Sequence, residues 1–145
     1  NKGETVLHYV SDIGFLEYLL SIGGARDHIN DKTTKEAGGF TPLHVALIER
    51  KSELFIALLL QNGADPNLAD EFNRYTAYHY AIEIGSMSVL KLMLDRAGQP
   101  FKSSVRDRFG RTAFHLAIAK NNLEVAKLLK GKGWHIYYPI YYPEF

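Results

Sequence analysis

The chain contains no cysteine. That single absence removes disulfides, thiolate nucleophiles and cysteine-held zinc, and it fits a cytoplasmic or nuclear setting. Long apolar runs are missing as well. The longest, Leu54 to Leu60, is seven residues, whereas a membrane-spanning helix needs about 20, so no membrane insertion is expected, and no secretory leader is visible. Charge of one sign is not in excess: 17 Lys and Arg face 16 Asp and Glu, a net +1. Motifs that carry chemistry are absent too. There is no G-x-S-x-G elbow, no G-x-x-x-x-G-K-[ST] phosphate loop, no G-x-G-x-x-G after a strand, and no histidine pair at zinc-ligand spacing. The expectation is a chain with no catalytic residues, no cofactor and no metal, hence not an enzyme, and with no small-molecule substrate.

What is present is a repeat. Thr-x-x-His occurs at Thr5–His8, Thr41–His44, Thr76–His79 and Thr112–His115, with 36, 35 and 36 residues from one histidine to the next. A period of roughly 20–50 residues marks a stack of supersecondary units, each touching only its neighbours. Apolar residues make up 46% and charged residues 23%, an ordinary composition for a folded chain.

The second unit shows the local logic. Gly38 and Gly39 permit a turn with positive φ. Thr41 stands where a helix N-cap belongs, and Pro42 follows at the first helical position, where a missing N–H costs nothing. Leu43, Ala46 and Leu47 share one buried stripe. A polar break from Glu49 to Glu53 precedes a second helix over Leu54–Gln61, and Asn62-Gly63 ends it. Ala64-Asp65-Pro66-Asn67 leads out through a turn. The third unit repeats the plan with Thr76 to Ile84, a break at Gly85, and Ser88 to Arg96. The fourth has a turn at Asp107–Gly110, Thr112 as cap, a break at Asn121-Asn122, and Leu123 to Lys130. In the first, Thr5 caps, Gly14 is expected to break the hairpin, and Phe15–Ile22 forms the second helix. Asp65, Asp70 and Asp107 read as turn formers.

This pattern resembles the ankyrin repeat family, whose unit is a β-turn, then T-P-L-H-x-A, then a second helix ending in L-L-x-x-G-A-D. Thr41-Pro42-Leu43-His44-Val45-Ala46 and Leu59 through Asn67 carry the likeness most fully, and it extends from Gly3 to about Gly133. The resemblance implies an all-α solenoid of four helical hairpins joined by turn fingers. Its approximate repeats are 1–31, 38–70, 71–105 and 106–134, followed by an aromatic and proline-rich extension over 135–145. It also implies that His8, His44, His79 and His115 tie neighbouring repeats together by hydrogen bonds. The units exceed the family period of about 33 residues. The spacing from helix-ending glycine to the next threonine is 17, 13 and 14 residues, so the Arg26–Gly39 connector is expected to be an enlarged finger. Tyr78 and Phe114 take the place of the motif's leucine, giving a bulkier core.

In that family, partners are bound by the residue before the threonine, by the turn, and by the positions four and five after the histidine. Transferred to matching positions, the candidate partner-binding residues are Glu4, Asp12 and Ile13; Phe40, Ile48 and Glu49; Phe72, Arg74, Tyr75, Glu83 and Ile84; and Arg108, Phe109, Arg111, Ala119 and Lys120. Aromatic and arginine side chains dominate the tips, the types enriched at interaction hot spots. Residues 101–134 carry eight basic against two acidic side chains, net +6, which leaves −5 for the rest. An acidic or mixed-charge protein surface meeting the fourth repeat is therefore expected. The first unit is unusually apolar for the end of a solenoid, which suggests that a further repeat or domain precedes it.

The resemblance implies a protein–protein interaction module, a scaffold or an inhibitor. It can be an inhibitor-of-κB-like regulator of a Rel-type transcription factor, to which short viral forms are similar in size, or a pathogen effector capturing a host protein. It can also be the targeting arm of a larger enzyme or channel. Nucleic-acid binding through the basic fourth repeat and aromatic tail is disfavoured by the near-zero net charge. The segment Trp134–Phe145 holds six of the aromatics around Pro139 and Pro143. It reads as a strap over the last repeat, or as a docking or Tyr-x-x-Φ signal.

Overall fold

Each Thr-x-x-His element opens the first helix of a pair, and the pairs follow one another along the chain: α1 (Val6–Tyr9) and α2 (Ile13–Ser21), α3 (Pro42–Ile48) and α4 (Glu53–Gln61), α5 (Ala77–Ile84) and α6 (Met87–Arg96), α7 (Ala113–Ala119) and α8 (Leu123–Gly131). The structure, a computed structural model, describes residues 3–98 and 100–132. The expectations for 135–145 lie outside the described residues. No strand occurs among the described residues, and none of their helices is long and apolar enough to cross a membrane.

First helices pack on first helices (α1 on α3, α3 on α5, α5 on α7), and second helices on second (α2 on α4, α4 on α6), while α8 rests chiefly on α7. The expected all-α solenoid is what results. One continuous core runs from Leu7 to Leu129. Leu16, Ile56, Leu59, Leu90, Leu116 and Leu129 are wholly excluded from solvent, each such burial being worth about 1.5–3 kcal/mol.

The threonine–histidine pair does two jobs. In the second to fourth units the threonine hydroxyl accepts from the histidine backbone N–H, capping the helix. The threonine N–H in turn donates to histidine Nδ1, at 3.0, 3.2 and 3.3 Å. With Nδ1 an acceptor, Nε2 carries the proton and reaches forward to a carbonyl. His8 bonds Phe40 O at 2.9 Å, His44 bonds Leu68 O at 2.9 Å, and His79 bonds Arg111 O at 3.2 Å. Burial holds the His44 imidazole down at about 4, although the Asp70 charge works the other way. Burial likewise lowers His79. Both rings are neutral structural members.

Two asparagines staple the repeats a second time. Asn30 donates to Gly63 O at 2.9 Å and accepts from Asp65 N at 2.8 Å. Asn67 does the same for Pro100 O at 3.0 Å and Lys102 N at 2.8 Å.

The first unit departs from expectation. Gly14 does not break the hairpin; it is the second residue of α2. Asp12 is the cap, its carboxylate accepting from Phe15 N at 2.8 Å, so the helix starts at Ile13 rather than Phe15 and ends at Ser21 rather than Ile22. The first helix of this unit is consequently only four residues long.

Candidate interaction face

The fingers are built by short side chains bonding their own turns. Asp70 Oδ1 accepts from Asn73 N at 2.7 Å; Asp107 Oδ1 accepts from Phe109 N at 2.8 Å and Arg111 N at 2.9 Å. Each finger then closes through a backbone bond: Thr33 N to Phe40 O at 2.9 Å, Asp70 N to Tyr75 O at 2.9 Å, and Asp107 N to Arg111 O at 2.7 Å. Successive fingers also touch, with Glu71 N donating to Gly38 O and Arg108 N to Asn73 O, both at 2.9 Å. The tips form a connected row.

The long connector folds into two 3-10 turns, Ala25–His28 and Lys35–Ala37, followed by Gly38 and Gly39 at φ 104° and 64°. A Cβ on Gly38 would lie 2.2 Å from the Phe40 ring, and one on Gly39 would lie 2.4 Å from Glu71 Cγ. Glycine is needed at both for this finger to fold under Phe40 and against its neighbour. The result is a groove of about 410 Å³ lined by Lys35, Glu36, Ala37, Gly38, Phe40, Glu71 and Phe72. Lys35, Glu36 and Glu71 were not among the sequence candidates; the extra length of the connector was the available signal.

Toward the fourth repeat, the candidates converge. Phe72 and Phe109 are exposed. Arg108 and Arg111 flank the Phe109 ring, 5.6 and 4.9 Å from its centroid, a cation–π arrangement. Arg108 also donates to Phe72 O at 3.4 Å. Arg74 is exposed beside them, held at φ 54°.

Behind the tips runs a chain of polar contacts across the third and fourth repeats. Lys120 pairs with Glu83 at 2.7 Å. Glu83 accepts from Tyr75 OH at 2.9 Å, Tyr75 OH accepts from Arg111 at 3.2 Å, and Arg111 Nε donates to Asp107 at 2.9 Å. Burial pushes the Glu83 carboxyl up, but the Lys120 and Tyr75 bonds outweigh it and hold the group below its usual range. Burial and the Glu83 contact push the Tyr75 phenol up to about 12.

Tyr75 is thus not a free tip. It is 6% exposed, stacked on His79 with centroids 5.2 Å apart. Arg111 and Lys120 are committed to carboxylates, so the unspent positive charge of this region sits on Arg74 and Arg108.

The other candidates are more scattered. Ile48, Glu49 and Ala119 are exposed near the far ends of the first helices, with Glu49 paired to Lys51 at 3.3 Å. Ile84 is half-buried and, with Leu47, Arg50, Ser86 and Val89, lines a second groove of about 260 Å³ between hairpin ends. Phe40 is half-buried, its ring lying against Gly38. Glu4 accepts from the Tyr9 hydroxyl. Asp12 and Ile13 start α2 rather than finishing a first helix, because that helix stops a turn early.

The family model described as ankyrin repeats (3 copies) matches residues 1–70 and again 49–138. Among curated relatives, a putative ankyrin repeat protein of fowlpox virus, FPV223, is 28% identical over 88% of the chain and 84% of its own length. The probable 26S proteasome regulatory subunit p28 of Saccharomyces cerevisiae is 29% identical over 91% of the chain and 56% of its own length. NF-kappa-B inhibitor alpha of Sus scrofa is 33% identical over 64% of the chain and 30% of its own length. Other curated relatives are far longer: the chain spans only 6%, 9% and 13% of three of them.

Proposed function

The chain belongs to the ankyrin repeat family, and from that premise we propose that it acts by occupying another protein, as a scaffold or inhibitor, through its fingers and first helices. The observation that carries this reading is the exposed row Phe72, Arg74, Arg108 and Phe109, in which arginines brace an aromatic ring at the meeting of two fingers. Aromatic and arginine anchors supply most of the energy in protein interfaces. The partner surface that suits it is acidic or mixed in charge with an apolar anchor, and it meets the tips of the third and fourth repeats. Charge that is already paired at Glu83–Lys120 and Asp107–Arg111 contributes shape and rigidity instead. The module is read as non-enzymatic and as acting without a cofactor.

The test is a capture experiment with the chain as bait, followed by affinity measurement on the retained protein. Phe72→Ala with Arg108→Glu is expected to weaken binding by at least tenfold. Leu54→Ala, exposed on the second-helix side, is expected to leave it unchanged. Equal affinity for both variants would refute the assignment of the face.

A second, narrower reading is regulation of a Rel-type transcription factor. It is favoured by the likeness to NF-kappa-B inhibitor alpha. Co-purification with a Rel homology domain, lost in the tip variant, would support it; the absence of a complex at micromolar concentrations would remove it.

A further inference from the structure

The second hairpin ends on the only Asn-Gly pair in the chain, Asn62-Gly63. Such a pair can modify itself in water. The Gly63 backbone nitrogen, its proton lost to hydroxide, attacks Asn62 Cγ. A C–N bond forms, the Cγ–Nδ2 bond breaks, and the side-chain nitrogen leaves as ammonia. Water then opens the five-membered imide at one of its two carbonyls, leaving aspartate or isoaspartate with no change in oxidation state. Glycine makes the pair reactive because no Cβ shields the attacking nitrogen. The other three hairpins carry Ile22-Gly23, Ala97-Gly98 and Lys130-Gly131 at this place, none of which can react in this way.

The fold holds this pair in a form that cannot react. Asn62 is the C-cap of α4 at ψ 14°. That angle turns the Gly63 nitrogen away from the Asn62 side chain, whereas ring closure needs the two to face each other. Asn62 Nδ2 donates to Leu58 O at 2.7 Å, and Gly63 N donates to Leu60 O at 3.1 Å, which opposes loss of its proton. The chain just beyond is held from another repeat. Asn30 donates to Gly63 O at 2.9 Å and accepts from Asp65 N at 2.8 Å. Turning Asn62 into the reactive geometry swings Gly63 and the residues after it, so the cap and the Asn30 bonds must break first. Water is at hand once they do. Asn62 and Gly63 are only half-buried, and nothing lies within 4 Å of where a Gly63 Cβ would stand.

We propose that Asn62-Gly63 is a self-modification site gated by the Asn30 staple, reacting when the first repeat lets go of the second. The product cannot close as the parent does. Aspartate lacks the donor to Leu58 O and sets a negative charge against the carbonyl end of α4. Isoaspartate adds a carbon to the backbone and takes Gly63 O and Asp65 N out of register with Asn30. A transient local opening is thereby converted into a permanent one at the junction of the first two repeats. None of these residues is among those proposed to meet the partner, so the reaction does not depend on it.

The full chain is incubated in mildly alkaline buffer, either folded or unfolded in guanidinium chloride. Aspartate and isoaspartate formed from Asn62 are then measured by mass spectrometry of peptic peptides, since digestion in acid adds none. Modification is expected to run roughly tenfold slower or less in the folded chain. Asn30→Ala should speed it roughly fivefold or more under folding conditions. Tyr80→Phe, which removes the bond to Asp70 in the third repeat, should leave the rate within about twofold of the parent. Circular dichroism checks that each variant is folded. Should Asn30→Ala lose helix, Asn30→Asp takes its place, keeping the acceptor for Asp65 N but not the donor to Gly63 O. Chains modified at Asn62 should unfold at lower urea than unmodified ones, and Asn62→Gln should not age in this way. Equal rates in the folded and unfolded chain overturn the proposal, as does an Asn30 variant no faster than the parent, or a modified chain as stable as the unmodified one. Acceleration by Tyr80→Phe equal to that by Asn30→Ala overturns it too, since the pair would then be reached by unfolding of the whole chain rather than by opening of the junction.

Discussion

Replacing Tyr78 by phenylalanine should stabilise the protein. Tyr78 occupies the leucine position of the repeat motif, wholly buried in α5, with its ring edge-on to Phe101 at 4.6 Å. Its hydroxyl has no hydrogen-bond partner among the described residues. Burial, with the negative field of Asp65 in support, raises the phenol well above its ordinary range, so it stays neutral. An unpaired buried hydroxyl costs roughly 1–3 kcal/mol relative to water. Removing one oxygen also forfeits a few dispersion contacts of about 0.1–0.2 kcal/mol each. The net expectation for Tyr78→Phe is a gain of about 0.5–2 kcal/mol, or a rise in Tm of a few degrees for a chain of this length.

The neighbouring Tyr80 supplies the control. Its hydroxyl donates to the buried Asp70 carboxylate. Tyr80→Phe leaves that carboxylate short of a donor and should lose about 1–3 kcal/mol. Urea titrations of the two variants, read by circular dichroism with m held comparable, should therefore move the midpoint in opposite directions. A Tyr78→Phe variant that unfolds at lower urea than the parent would refute the reasoning, since it would mean the hydroxyl is bonded.

Other expectations follow from the same contacts. His44, with a folded value of about 4 against roughly 6.5 in the unfolded chain, binds its proton more readily when unfolded. Its contribution is therefore complete above pH 6.5 and is lost as the pH falls toward 4, by up to about 3 kcal/mol. Urea midpoints across that window should fall more steeply for the parent than for His44→Gln. Asn67→Ala severs both bonds to the Pro100–Lys102 segment and should cost about 1–3 kcal/mol in denaturant titration. Glu83 and Lys120 are part-exposed, so a double-mutant cycle with Glu83→Gln and Lys120→Met should return a coupling of only about 0.2–1 kcal/mol.

The repeat and its helices were legible because the signals are local and recur. Thr-x-x-His fixes a cap and a first turn by short-range chemistry, and four copies in register leave little freedom for another architecture. Gly14 misled for the complementary reason. Glycine is a breaker only on average, and Asp12 two residues earlier supplied a cap strong enough to start α2 across it. The candidate face was legible as a set of tip residues but not as a charge distribution. Nothing within a single repeat announces that Lys120 reaches Glu83 in the preceding unit, or that Arg111, besides Asp107 of its own finger, bonds Tyr75 of the preceding one. Those pairings depend on how far neighbouring hairpins are rotated, which the period alone does not reveal. Asn30 was missed as a staple because its partners lie more than thirty residues away, although its alignment with Asn67 across one repeat was available in the sequence.

The central claim is that fingers and first helices, not the second-helix side, receive the partner. Hydrogen-exchange mass spectrometry on the chain with and without its captured protein measures this directly. The account predicts new protection over residues 71–75 and 107–111, extending into the starts of α5 and α7, with α4 and α6 unchanged. Protection concentrated on α4 and α6, with the finger segments exchanging as in the free chain, would contradict it.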